Sequence, residues 1–94
     1  MLELAIGIIL GCCALGAGIC MGIGAIGPGM GEGQAVSKAC EAIGRQPESK
    51  GAVTSTMIMG CAVAETTGIY SLVIAILLIF VAPGLMVDIL KSAL

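Results

Sequence analysis

The chain has no histidine and no tryptophan, one tyrosine, one phenylalanine and only four basic residues. Without histidine, no Ser/His or Cys/His catalytic pair can form. Four Lys and Arg residues supply no phosphate-binding patch, so nucleic acid is excluded as a partner. A soluble core would lack its usual large aromatic anchors. Charge is also scarce: charged residues make up 11% of the chain, against about a quarter in an ordinary soluble domain. At 94 residues the chain is one domain at most, too short for a catalytic domain with a deep pocket.

What is abundant is apolar surface and glycine. Hydrophobic residues reach 59% and glycines number 15, with a net charge of −2. Residues 4–31 carry no charge, and residues 51–87 carry only Glu65. At about 1.5 Å per residue each run outspans a hydrocarbon core of about 30 Å. Six charges crowd between them, at Glu32, Lys38, Glu41, Arg45, Glu48 and Lys50. The pattern predicts an all-α membrane hairpin: a single domain over 1–94, with helix one about 3–44, a loop about 45–49 and helix two about 50–91. Pro47 lacks an N–H and restricts Gln46 before it, so it should mark the turn. Pro83-Gly84 should bend or end helix two on the far side. An alternative topology has residues 66–87 spanning alone and 32–65 as a long loop, which would expose Val53, Met57, Ile58, Met59 and Val63 to water.

Lys38, Arg45 and Lys50 lie in or near the loop, while the ends offer only Lys91. The excess of basic residues therefore places the loop in the cytoplasm and both termini outside. Met1-Leu2-Glu3 has no basic start, and no small-residue cleavage site follows a short apolar core, so no cleavable signal is expected.

Helix one carries Gly7, Gly11, Gly16, Gly18, Gly22, Gly24, Gly27, Gly29, Gly31 and Gly33. Each interior glycine costs about 1 kcal/mol relative to alanine. In lipid the return is close approach of helix backbones. Gly27 and Gly31 share one stripe, Gly29 and Gly33 another, and the two lie about 200° apart. A helix with opposed small stripes is suited to neighbours on both sides. Repeated identically, that arrangement closes into a ring or runs on as an open array. Gly22-Ile23-Gly24-Ala25-Ile26-Gly27 also fits the dinucleotide-binding G-x-G-x-x-G pattern. That motif needs a preceding strand and a βαβ unit, and here it lies inside a membrane-length apolar run.

Glu65 lies near the centre of the second apolar run. A charge there costs at least about 2.5–3.5 kcal/mol, so the group must be protonated, paired or bound to a cation. In an antiparallel hairpin, Glu32 and Glu65 are level if the apex falls between Glu48 and Ser49, directly after Pro47. Otherwise Glu32 is simply the polar end of helix one. Two close carboxylates in a low-dielectric site do not both stay ionised, and they titrate as a pair. One monovalent cation beside a carboxylate and a carboxylic acid makes a neutral site, a charge count that suits Na+ or a proton and disfavours Ca2+. Thr66, Thr67, Tyr70 and the Val63 carbonyl offer further oxygens nearby. The five cysteines, Cys12, Cys13, Cys20, Cys40 and Cys61, contain no C-x-x-C pair and read as small apolar fillers.

Three motifs together resemble one family: Gly27-Pro28-Gly29-Met30-Gly31-Glu32-Gly33, Arg45-Gln46-Pro47, and Ala64-Glu65-Thr66-Thr67-Gly68-Ile69-Tyr70. The chain resembles the c subunits of rotary F-type ATP synthases over essentially its whole length, and is most similar to the sodium-translocating bacterial members. The resemblance implies a homo-oligomeric ring in the bacterial inner (cytoplasmic) membrane, with no catalysis of its own. It implies Na+ held by Glu32, the Val63 carbonyl, Glu65 and Thr66, with Thr67 holding a water and Tyr70 orienting Glu65. Gly27, Gly29, Gly31 and Gly33 would pack the ring. Arg45, Gln46 and Pro47 would meet the gamma and epsilon subunits of the central stalk. The stator a subunit would deliver the ion and supply an arginine that displaces it, while loaded sites face membrane lipid. A proton-translocating ring using Glu65 is the alternative. The sequence departs from the sodium-type pattern in having Glu at position 32, where Gln is frequent, and Thr at 66, where Ser is frequent. Ala25 interrupts a glycine series that can run further.

Overall fold

A computed structural model describes all residues 1–94. It is a hairpin of two long antiparallel helices, 69 × 15 × 11 Å in extent. Helix one comprises α1 (Leu2–Gly24) and α2 (Ile26–Arg45). Helix two comprises α3 (Lys50–Ala64), α4 (Thr66–Ile76), a π-helical stretch at Leu77–Val81 and α5 (Ala82–Ala93). Residues 32–65 are therefore not a long loop. Of 80 backbone hydrogen bonds, 73 lie within these helices, the pattern a bilayer demands because it offers the backbone no partner of its own.

The turn is built as Pro47 dictates. Gln46 adopts φ −137°, ψ 85°, outside the helical region. Pro47 then opens a 3-10 turn over Pro47–Ser49. Ser49 closes it, donating from its backbone N–H (2.9 Å) and its hydroxyl (2.7 Å) to the Gln46 carbonyl.

The joints within each long helix are slight. Ala25 stays right-handed at φ −84°, ψ −11°, and the ladder runs through it from Met21 to Gly29. Glu65, at φ −70°, ψ −14°, is bridged in the same way from Cys61 to Ile69. Pro83 does not end helix two. Its ring would crowd a carbonyl one turn earlier, and the wider π turn absorbs the conflict, with the Ala82 N–H donating to the Leu77 carbonyl five residues back. The helix then continues to Ala93.

Only six residues are buried, and all are small: Cys13, Ala17, Pro28, Ala39, Gly68 and Ala75. They form a narrow seam where the two backbones approach. Large side chains such as Leu4, Ile23, Ile58, Val73, Ile79 and Phe80 (77% exposed) face outward. All five cysteines are free. Near the turn Glu41 pairs with Arg45 at 2.7 Å and with Lys38 at 3.5 Å. These pairs are exposed, so Glu41→Gln should change hairpin stability by less than about 1 kcal/mol in a denaturation measurement.

Candidate functional site

The two joints matter because of what they hold. Glu65 forms the joint between α3 and α4, and Glu32 lies about two turns beyond Ala25 on helix one. Across the seam their carboxyl groups lie within hydrogen-bonding reach of one another. Both residues are half-buried. Two carboxylates at this separation repel, so they share a proton or hold a cation between them. The hairpin register that follows from a turn at Pro47 is thus the register that brings the two acids together.

Oxygen atoms gather beside the pair. The Thr66 hydroxyl donates to the Val63 carbonyl at 2.7 Å, placing those two oxygens side by side. The donated proton leaves the Thr66 oxygen its lone pairs. Val63 is 68% exposed and Thr66 is exposed, so this pair of residues lies on the outer face of the hairpin. Thr67 donates to the Ala64 carbonyl at 3.3 Å. Back-bonding of this kind is the usual habit of hydroxyls in membrane helices. Tyr70 is 66% exposed, and its hydroxyl is not brought to Glu65 within one chain.

The glycines divide into two groups. A Cβ at Gly27, Gly29, Gly31 or Gly33 would meet no atom of its own chain within 4 Å. A Cβ at Gly24 would overlap the Ser71 hydroxyl and lie 2.8 Å from the Ser71 Cβ. One at Gly68 would lie 2.8 Å from Glu65 Oε1 and 3.6 Å from Pro28 Cγ. Ser71 is tied further into the seam, where its carbonyl accepts from the Cys20 thiol at 3.5 Å. Sequence reasoning singles out Gly27, Gly29, Gly31 and Gly33 for contacts between copies, and leaves Gly24, Ser71 and Gly68 without a role. The three-residue spacing of Glu65 and Gly68, one turn of helix, is the available signal for the latter.

Residues 15–78 match the family of ATP synthase c subunits. The chain belongs to that family. The ATP synthase c subunit of Alkaliphilus oremlandii is 57% identical over 76 residues, covering 81% of this chain and 85% of that protein. The c subunit of Thermotoga petrophila is 60% identical over 67 residues, covering 71% and 79% respectively. That of Petrotoga mobilis is 56% identical over 69 residues, covering 73% and 72%. The family consists of ring-forming, two-helix membrane subunits, ion-translocating rotor parts of the membrane sector rather than enzymes. Both long helices here are apolar and long enough to cross a bilayer, and this ATP synthase rotor chain is a bacterial membrane protein.

Proposed function

We propose that the chain carries Na+ at Glu65, in a ring of identical copies whose rotation couples an ion gradient to ATP synthesis. The observation that carries this reading is the Glu32–Glu65 pair beside the joined oxygens of Val63 and Thr66. A lone proton carrier needs one carboxyl group. Here two acids, a carbonyl and a hydroxyl converge, and hard cations take oxygen ligands of this kind. One shared proton and one Na+ leave the site neutral, which lets a loaded site face lipid. An empty site is anionic and attracts the next cation, or the arginine of a stator a subunit. Thr67 would hold a water and Tyr70 would orient Glu65 from the assembled ring. Gly27, Gly29, Gly31 and Gly33, open in the single hairpin, would receive the neighbouring copies. The exposed Arg45-Gln46-Pro47 turn would meet the gamma and epsilon subunits in the cytoplasm, with both termini outside, the orientation that the basic residues near the turn favour.

A second reading is translocation of protons at Glu65. It is supported by the Thr67 hydroxyl being engaged with the Ala64 carbonyl of its own backbone. The two readings separate on labelling of Glu65 by dicyclohexylcarbodiimide, which reacts with a protonated carboxyl. Under the sodium reading, Na+ protects Glu65 at neutral pH, and absence of protection would sink it. Thr66→Ala should then raise the Na+ concentration needed for protection by about tenfold, the size of one lost polar ligand. Under the proton reading it changes nothing.

A further inference from the structure

We infer that Gly68 is a positioning residue for Glu65: its missing side chain is the space into which the Glu65 carboxyl folds to reach Glu32. The inference rests on Glu65 being the ion-carrying carboxylate. Gly68 lies one turn beyond Glu65 on the same helix, and it is buried in the seam opposite Pro28. The point where its Cβ would stand is 2.8 Å from Glu65 Oε1, 3.5 Å from Glu65 Cδ and 3.6 Å from Pro28 Cγ. Real Cβ atoms do not approach oxygen that closely, so any side chain at 68 must displace the carboxyl. Pro28, also buried, walls the same space from helix one. Because the carboxyl in this position is within hydrogen-bonding reach of Glu32, the space at 68 sets whether the two acids meet.

The atom that would collide is the end of a flexible side chain. Moving it needs a rotation about the Glu65 side-chain bonds, and no shift of the backbone. Alanine is moreover a better helix former than glycine. Gly68→Ala should therefore leave the hairpin and the ring intact while turning the carboxyl away from Glu32. That separates a positioning role from a packing role, in which the methyl would disturb assembly first.

The test uses the purified full ring and its Gly68→Ala and Gly68→Ala/Pro28→Ala variants. Labelling of Glu65 by dicyclohexylcarbodiimide is followed across pH without Na+, and at fixed pH against NaCl. In Gly68→Ala the ring should run intact on a gel, the pH profile of labelling should shift, and half-protection should need about tenfold more Na+. Removing the Pro28 ring in the double variant leaves the collision within helix two in place, so both readouts should stay shifted as in Gly68→Ala. An unchanged pH profile in Gly68→Ala would overturn the inference. So would loss of the ring, because the fold should accept one methyl there. If Na+ fails to protect the parent ring, the sodium reading falls, and the pH profile still decides the role of Gly68.

Discussion

Replacing Glu65 by Gln is expected to leave the ring assembled and to abolish ion transport. Gln keeps the shape of Glu and can still hydrogen-bond to Glu32 across the seam, so packing is preserved. What it loses is the ability to change charge. A rotor site must be neutral when loaded, so that it can cross lipid, and anionic when empty, so that it draws a cation. A Gln site is in one state only. Reconstituted ring and stator should show ion flux and gradient-driven ATP synthesis at background, with ring migration on a gel unchanged. The companion substitution, Glu32→Gln, should keep transport, because the changing charge remains on helix two. If Glu65→Gln retained flux through the neighbouring Glu32 carboxylate, the carrying residue would have been assigned to the wrong helix.

The second large effect distinguishes two glycines that look alike in sequence. Gly29→Leu should abolish the ring and spare the hairpin in the membrane. Nothing in its own chain lies within 4 Å of a Cβ at 29, so the added bulk can only meet another copy. Gly24→Leu should damage the hairpin itself, because a Cβ at 24 already overlaps the Ser71 hydroxyl. Overpacking of a fitted contact costs about 1–3 kcal/mol, and a ring repeats that cost in every copy. Cross-linking in membranes, between cysteines introduced at level positions across the seam of an otherwise cysteine-free chain, reports on the hairpin. Gel migration after extraction reports on the ring. Gly29→Leu should lose the second signal and keep the first, and Gly24→Leu should lose both. An intact ring in Gly29→Leu would refute the assignment of the outward glycines to contacts between copies.

Much of this architecture is legible before any coordinates. Scarce charge gathered over 32–50 and a proline at 47 imply a hairpin, and the position of that turn sets Glu32 level with Glu65. The carboxyl pair follows from register because an antiparallel hairpin has one free parameter. The π stretch at Leu77–Val81 is not legible in the same way. A proline in an apolar helix can end it, kink it or be absorbed by a wider turn, and the choice depends on how the surrounding side chains pack. Spacing sorts Gly27, Gly29, Gly31 and Gly33 into outward stripes, but it does not show that Gly24 faces the partner helix. Only the approach of Ser71 gives Gly24 its place in the seam. Gly68 is hidden inside a motif dominated by its charged neighbour. The back-bonding of Thr66 and Thr67 is legible as a tendency, because it is the usual habit of hydroxyls in membrane helices.

The thinness of the seam has a thermodynamic consequence. Six small buried residues cannot hold two 69 Å rods in register by their own contacts, and most of the apolar surface waits for other copies or lipid. Once detergent replaces the bilayer, coming apart and losing structure are one event rather than two. The melting temperature should therefore rise with protein concentration in a given detergent. In that setting a substitution at the contact between copies will register as a loss of folding, even though it touches nothing inside the chain that carries it.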